Sequence, residues 1–196
     1  MRGLPAFLGI WLVMMAAMMA PSVLPTVRLF AVTRTSRAAF GVQPAPVWSF
    51  VAGYLAVWTA FGIPVYLLLS AVPMGMFGLR EQGAALAVAG LYQLTRWKSI
   101  CLGHCRSPLF FLLHAWRDGP VGAFVMGAHH GAYCVGCCWG LMLVLVVLGV
   151  MNVAWMAAVA AVIFVEKVVQ GGVLYGRVLG ILMAAAGTAL VFGVTP

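Results

Sequence analysis

The sequence predicts an all-α fold: a polytopic membrane helical bundle with about six transmembrane helices and one short interfacial helix. Of the 196 residues, 65% are hydrophobic and only 7% are charged, whereas a typical soluble domain has about 25% charged residues. Several apolar runs are long enough to cross a bilayer as a helix. We expect residues 1–196 to form a single integral membrane domain, because no polar stretch is long enough for a separate extramembrane domain.

Six apolar segments are the expected spans: Ala6–Leu24, Val47–Val72, Gly83–Leu94, Val121–Val150, Val153–Val169 and Val173–Val194. The third segment is short, and it reaches an adequate length only if Arg96 and Lys98 at its end extend their charged heads towards water. The stretch Leu109–Trp116 is apolar but brief. It is therefore expected to be an interfacial or re-entrant helix, with Ser107 as the N-cap and Pro108 at its first position.

The charge distribution predicts an orientation. Eleven Lys and Arg residues against three Asp and Glu give a net charge of +8. In a membrane protein this excess is explained by loop orientation, so we exclude nucleic acid as a partner and expect membrane lipid instead. The positive-inside rule places the basic loops in the cytoplasm and both termini outside a bacterial inner membrane. Nine of the eleven basic residues lie in loops one, three and five: Arg28, Arg34, Arg37, Arg96, Lys98, Arg106, Arg117, Lys167 and Arg177.

The segment Val121–Val150 carries a cluster of sulfur and imidazole groups. Residues four apart share a face of a helix, and Cys137 and His129 lie beside such a row. These groups suit Cu(I), zinc or an iron–sulfur centre, and reactive groups inside a membrane helix indicate function because they are costly there. The alternative is that the cysteines only pack as small apolar side chains. The row consists of Met126, His130, Cys134, Cys138 and Met142.

Two other stretches hold candidate soft ligands. Cys101 and Cys105 form a C-x-x-x-C pattern that contains His104, just past the end of the third span, and they could bind a metal or form a redox pair. Met14 and Met18 in the first span are thioether candidates for Cu(I), although methionine also fills gaps in packed cores.

Further residues of the first and fifth spans have less specific interpretations. Pro21 and Pro25 are expected to kink or end the first helix. Glu166 and Lys167 end the fifth span, where they could anchor the helix at the membrane interface. Alternatively, Glu166 could supply a carboxylate to a metal or to a proton relay.

Short motifs that cover most of the chain carry a family resemblance. The chain resembles the bacterial domain-of-unknown-function 2182 family, described as predicted metal-binding integral membrane proteins and sometimes labelled copper chaperones. The resemblance implies the handling of copper or another soft metal. The matching residues are Trp11, Met14–Pro21, Gly90–Leu94, Lys98, Cys101, Cys105–Pro108, Trp116–Gly119, Gly131, Tyr133, Cys134, Gly136–Trp139, Leu141, Met142, Gly149–Asn152, Trp155, Glu166 and Lys167.

We therefore predict a membrane metal-binding protein that handles Cu(I), with zinc as the alternative metal and a metal-receiving membrane or periplasmic protein as its partner. The predicted core ligands are Cys134, Cys137, Cys138 and His130, and Cys101 with Cys105 forms an entry or exchange pair. One alternative is a membrane thiol–disulfide oxidoreductase, and another is a structural subunit of a membrane complex. No catalytic constellation or phosphate-binding loop is visible, which argues against a hydrolase or an ATP-driven pump.

Overall fold

The structure is a computed structural model that describes residues 3–38, 45–71, 78–149 and 152–193. Within these ranges all regular secondary structure is helical, which confirms the predicted all-α fold. The predicted segment ends at Val72, Val150 and Val194 lie outside the described residues. The helices are α1 (Leu4–Ala38), α2 (Val47–Ala71), α3 (Leu79–Gln93), α4 (Arg96–Arg106), α5 (Pro108–Ala115), α6 (Gly119–Gly149), α7 (Val153–Val168) and α8 (Gly172–Phe192).

Four helices are long and apolar enough to cross a membrane, namely α1, α2, α6 and α8. Helices α3 and α7 have 15 and 16 residues, and a perpendicular span needs about 20. A membrane helical bundle is therefore the fold class of this chain, while the count of six spans stays a prediction. Helix α5 begins with Ser107 as its N-cap and Pro108 in its first turn, as predicted.

Helix α1 is longer than predicted. It continues through Pro21 and Pro25 as one helix of 35 residues, so the alternative that the prolines end it is wrong, while a kink there stays a prediction. The residues Arg28–Arg37, which were expected in a loop, lie on this helix as well. Proline is tolerated inside membrane helices where neighbouring groups satisfy the backbone carbonyls that it frees, and the sequence pattern does not reveal such neighbours.

The described helices pack into two compact units. The first unit contains residues Met1–Leu68 and Gly103–Val135, and the second contains Leu69–Leu102 and Gly136–Pro196. Helices α4 and α6 each contribute residues to both units. The expectation of one domain over residues 1–196 stays a prediction.

In the first unit, glycines allow α2 and α6 to approach closely. A Cβ atom on Gly127 would collide with the backbone carbonyl of Phe50, and one on Gly53 would collide with that of Phe124. Small residues at these positions let helix backbones meet, as predicted for the glycines of α6. Helix α1 joins the same unit, where the Trp11 indole donates a hydrogen bond to the Trp58 carbonyl at 2.9 Å.

In the second unit, α3 packs on α8 through glycines on both helices. A Cβ on Gly90 would meet α8 backbone atoms, and one on Gly187 would meet α3 backbone atoms. Helix α7 begins at Asn152, whose side chain accepts hydrogen bonds from two backbone amides of the first turn. Gly171 has a φ of +83° between α7 and α8, which is the left-handed conformation that lets the chain reverse within a few residues.

Replacing Gly127 by alanine should destabilise the protein, because the new methyl group meets a backbone carbonyl that cannot move aside. We expect Gly127→Ala to lower the free energy of unfolding by about 2 kcal/mol or more. Gly103→Ala is the matched control, since a Cβ there has no neighbour within 4 Å and alanine favours a helix by about 0.5–1 kcal/mol. Thermal unfolding in detergent measures both variants, and equal melting temperatures would contradict the close packing of α2 and α6.

Candidate metal centre

Helix α6 buries the full row of sulfur and imidazole groups that the sequence predicts. Each of the five side chains is between 1% and 4% exposed. Their spacing of four places them on one face of this helix, so the predicted row exists and is removed from solvent. The five residues are Met126, His130, Cys134, Cys138 and Met142.

The second unit contains a close pair of thiols. The sulfur atoms of Cys137 and Cys138 lie 3.3 Å apart, in hydrogen-bonding contact, and both side chains are 1% exposed. Cys101 of α4 packs on Gly136, the residue before Cys137, because a Cβ on Gly136 would lie 2.8 Å from the Cys101 sulfur. Because Gly136 has no side chain, the Cys101 sulfur can lie directly against it.

Tyr92 of α3 packs against the same part of α6. Its hydroxyl donates a hydrogen bond to the carbonyl of Gly136, and its ring lies 4.6 Å from that of Trp139. The thiols of Cys101, Cys137 and Cys138 lie within electrostatic range of this hydroxyl. Sequence reasoning missed Tyr92, since a tyrosine near a helix end is usually an interface residue.

Cys101 differs from the other cysteines in its exposure. It is half-buried, whereas the other four are buried, and none of the five forms a disulfide. Burial raises the pKa of the Cys101 thiol, because a thiolate is poorly solvated there. At neutral pH the group is therefore a neutral thiol, which loses its proton when a metal binds.

The first unit holds a separate group around Cys134. The Tyr54 hydroxyl lies 3.0 Å from the Cys134 sulfur, in hydrogen-bonding contact. The His130 ring packs among aromatic rings, 6.0 Å from Tyr54 and 5.4 Å from Phe111. Tyr54 could not be found from sequence, because nothing in the spacing of α2 links it to a cysteine eighty residues away.

A histidine and tyrosine stack lies elsewhere in the first unit. The His104 ring stacks on Tyr133 at 4.0 Å and 3°, and the exposed His129 meets the same tyrosine edge-on at 4.9 Å. Cys101 and Cys105 lie beyond the end of α3, as expected, but both belong to a further helix, α4, that the sequence analysis did not predict. This helix was not predicted because the sequence around the two cysteines is short and polar, yet Cys105 is buried.

The methionine candidates differ in their surroundings. The Met126 sulfur accepts a hydrogen bond from the Arg117 backbone amide at 3.2 Å. On α1, Met18 is buried and Met14 is half-buried. Met142 is buried in the second unit, one helical turn after Cys138.

Glu166 has partners that the sequence did not indicate. Its carboxylate accepts hydrogen bonds from the Lys98 ammonium at 2.7 Å and from the Gln93 amide at 2.9 Å. Lys98 is 3% exposed, so the expectation that it extends towards water is wrong, while Arg96 is exposed as expected. The interface-anchor interpretation of Glu166 and Lys167 is also wrong, because both are buried.

The described ranges contain no group of three or more His, Cys, Asp or Glu side chains positioned to hold a metal ion. The predicted set of ligands therefore stays a prediction. What the structure provides is a buried pair of adjacent thiols in the second unit and a buried thiol and imidazole in the first.

A family model described as "PpoB2: Copper chaperone" matches residues 8–190. The chain belongs to this copper chaperone family. The match confirms the copper-chaperone part of the resemblance that its motifs carry, while the numbered domain-of-unknown-function family stays a prediction. No curated protein matches the chain, and no solved structure matches it.

A methyl group at Gly136 should displace Cys101. Because a Cβ there would lie 2.8 Å from the Cys101 sulfur, the thiol has to rotate away from α6 in Gly136→Ala. We expect Cys101 of this variant to be alkylated by iodoacetamide several-fold faster, as measured by peptide mass spectrometry. Gly103→Ala, on the same helix as Cys101 and without close neighbours, is the control. Identical rates in both variants would argue against the packing of Cys101 on Gly136.

Proposed function

We propose that this protein is a membrane-embedded copper-handling protein that binds Cu(I) through buried sulfur groups of α6. It acts in the bacterial inner membrane and passes the metal to a metal-receiving membrane or periplasmic protein. The observation that carries the proposal is the Cys137–Cys138 pair, whose thiols meet at 3.3 Å in a buried position, in a chain of the copper chaperone family.

The pair in the second unit is the primary Cu(I) site. Thiolates are the soft ligands that Cu(I) prefers, and Cys137 and Cys138 already face each other. Met142 lies one helical turn beyond Cys138 on the same helix and adds a thioether donor. Because metal binding removes thiol protons, Cu(I) binding at this pair is expected to release protons.

The remaining candidate ligands have secondary roles. In the first unit, Cys134 and His130 form a second donor group, with Met126 on the same face. Each unit has its own exchange groups, namely Cys101 in the second unit and Cys105 with His129 in the first, and of these Cys101 and His129 are not buried. Met14 and Met18 of α1 supply outlying thioethers. Glu166 is left out of the ligand set, because Lys98 and Gln93 occupy both carboxylate oxygens.

Cu(I) fits these groups better than zinc. A structural zinc site takes four N, S or O ligands in a tetrahedron, and the described residues hold no cluster of three such groups. Cu(I) accepts fewer donors and selects thiolate and thioether sulfur, which is what the second unit offers at Cys137, Cys138 and Met142.

The geometry of the Cys137–Cys138 pair argues against a disulfide between these two residues. A disulfide has sulfur atoms about 2.05 Å apart and Cβ atoms about 3.8 Å apart, while side chains of adjacent helical residues diverge by about 100°. Cys137 and Cys138 are adjacent inside α6, so closing a disulfide between them requires local unwinding of the helix. Coordination of a metal ion by the two thiolates would require no bond between the sulfur atoms.

Copper content tests the proposed ligands. We expect wild-type protein, purified in detergent under reducing conditions, to hold about one copper per chain by mass spectrometry of metals. Substitution of both Cys137 and Cys138 by serine should remove most of it, because serine provides no soft donor. Cys105→Ser should leave the amount bound unchanged, since an exchange thiol is not part of the final site.

Two results would contradict this account. Unchanged copper in the Cys137→Ser/Cys138→Ser double variant would reject the primary site. Absence of copper from wild type, together with thiols that cycle between free and disulfide forms as the redox potential changes, would favour the oxidoreductase.

A further inference from the structure

The second unit contains a buried charge cluster that ligand binding does not use. The Glu166 carboxylate, 2% exposed, lies between the ammonium of Lys98 at 2.7 Å and the amide nitrogen of Gln93 at 2.9 Å. Space for it comes from Gly176 of α8, where a Cβ would lie 2.8 Å from a carboxylate oxygen. The cluster therefore links α3, α4, α7 and α8 at one carboxylate.

Such a cluster is costly in an apolar bundle. Removing two charges from water carries a penalty of several kcal/mol per ion, and apolar replacements are often as stable or more so. Gln93 adds to the cost, because its side-chain oxygen has no hydrogen-bond partner among the described residues. Turning the amide would only place this oxygen against the Glu166 carboxylate. An arrangement that stability alone does not favour points to a role in function.

Lys98 and Gln93, which bond to Glu166, each lie close in sequence to a residue that packs beside the proposed copper site. Lys98 lies three residues before Cys101, one turn away on α4, and Cys101 packs on Gly136. Gln93 directly follows Tyr92, whose hydroxyl bonds to the carbonyl of the same glycine. Cys101 and Tyr92 thus both contact Gly136. Each of them lies close in sequence to a residue that bonds to the buried Glu166 carboxylate.

We infer that Glu166 and Lys98 are positioning residues, which hold Cys101 beside the Cys137–Cys138 pair so that it can exchange Cu(I) with that pair. This inference rests on the proposed function and adds a role for an ion pair in the rate of metal transfer. Cys101 is suited to exchange because it is half-buried and packs on Gly136, whereas Cys137 and Cys138 are buried.

The exchange is a ligand substitution without electron transfer. The Cys101 thiol releases its proton to solvent as its sulfur forms a bond to Cu(I) that is still held by an incoming donor. The bond to that donor then breaks. Cys137 and Cys138 next bond to the metal and release their protons, and the Cys101 thiolate leaves and takes up a proton.

The first test needs no copper. In Lys98→Met/Glu166→Gln both charges of the ion pair are removed together, and the new amide carbonyl still accepts from Gln93. We expect iodoacetamide to alkylate Cys101 about tenfold faster, because α4 has lost its anchor while Tyr92 has kept its own. The matched control is Arg96→Met/Glu81→Gln, which makes the same two changes at exposed residues of α4 and α3 and should react like wild type.

The reversed pair Lys98→Glu/Glu166→Lys should return the alkylation rate close to that of wild type, since Gln93 can turn its amide to accept from the new ammonium. An unchanged alkylation rate in Lys98→Met/Glu166→Gln would overturn the inference. This measurement stands whether or not the protein binds copper, so it separates failure of the anchor from failure of the proposed function.

The second test follows Cu(I) loading from its bicinchoninate complex. We expect Lys98→Met/Glu166→Gln and Cys101→Ser each to slow loading about tenfold, the lower end of what outer-shell substitutions cost at metal sites. The variant that combines all three substitutions should load no more slowly than either of these two, because all three residues act through one thiol. The amount of copper bound at equilibrium should not change. A combined effect of about a hundredfold, or copper lost at equilibrium, would contradict a positioning role.

Discussion

Polar groups inside an apolar helix bundle have to find their partners within the protein, and one such contact links four helices of the second unit. The Lys98–Glu166 ion pair, at 2.7 Å and almost fully buried, is stable only if both charges stay together, since a single buried charge costs about 3–5 kcal/mol. This requirement fixes the short helix α4 against α7. It also explains why α8 has a glycine at position 176, where any side chain would push the carboxylate away.

The same constraint shapes the proposed chemistry. A buried thiol is a weak hydrogen-bonding group that can stay in an apolar interior at little cost, so sulfur donors can be stored in the bundle until a metal arrives. Cys137 and Cys138 meet each other, and Cys134 meets Tyr54. Helix α6 thus supplies each unit with its own soft donors, while glycines on the same helix allow its neighbours to come close.

Much of the fold followed from composition and period, but the contacts around the site did not. The spacing of four in α6 predicted the buried row correctly, because helix geometry alone determines it. The partners of α6 come from distant segments: Tyr54 of α2 contacts Cys134, and Tyr92 of α3 and Cys101 of α4 contact Gly136. The prediction that Lys98 reaches water was wrong. A lysine at the end of an apolar segment usually does so, but here its partner Glu166 lies 68 residues away on α7.

The account's central claim is that two adjacent thiols of α6 hold Cu(I). X-ray absorption at the copper edge of the loaded wild-type protein tests it most directly, because it reports both the oxidation state and the elements bound to the metal. We expect Cu(I) with sulfur atoms only, from Cys137, Cys138 and Met142. Nitrogen or oxygen atoms bound to the copper, or Cu(II), would contradict the claim and move the site to the histidines of the first unit.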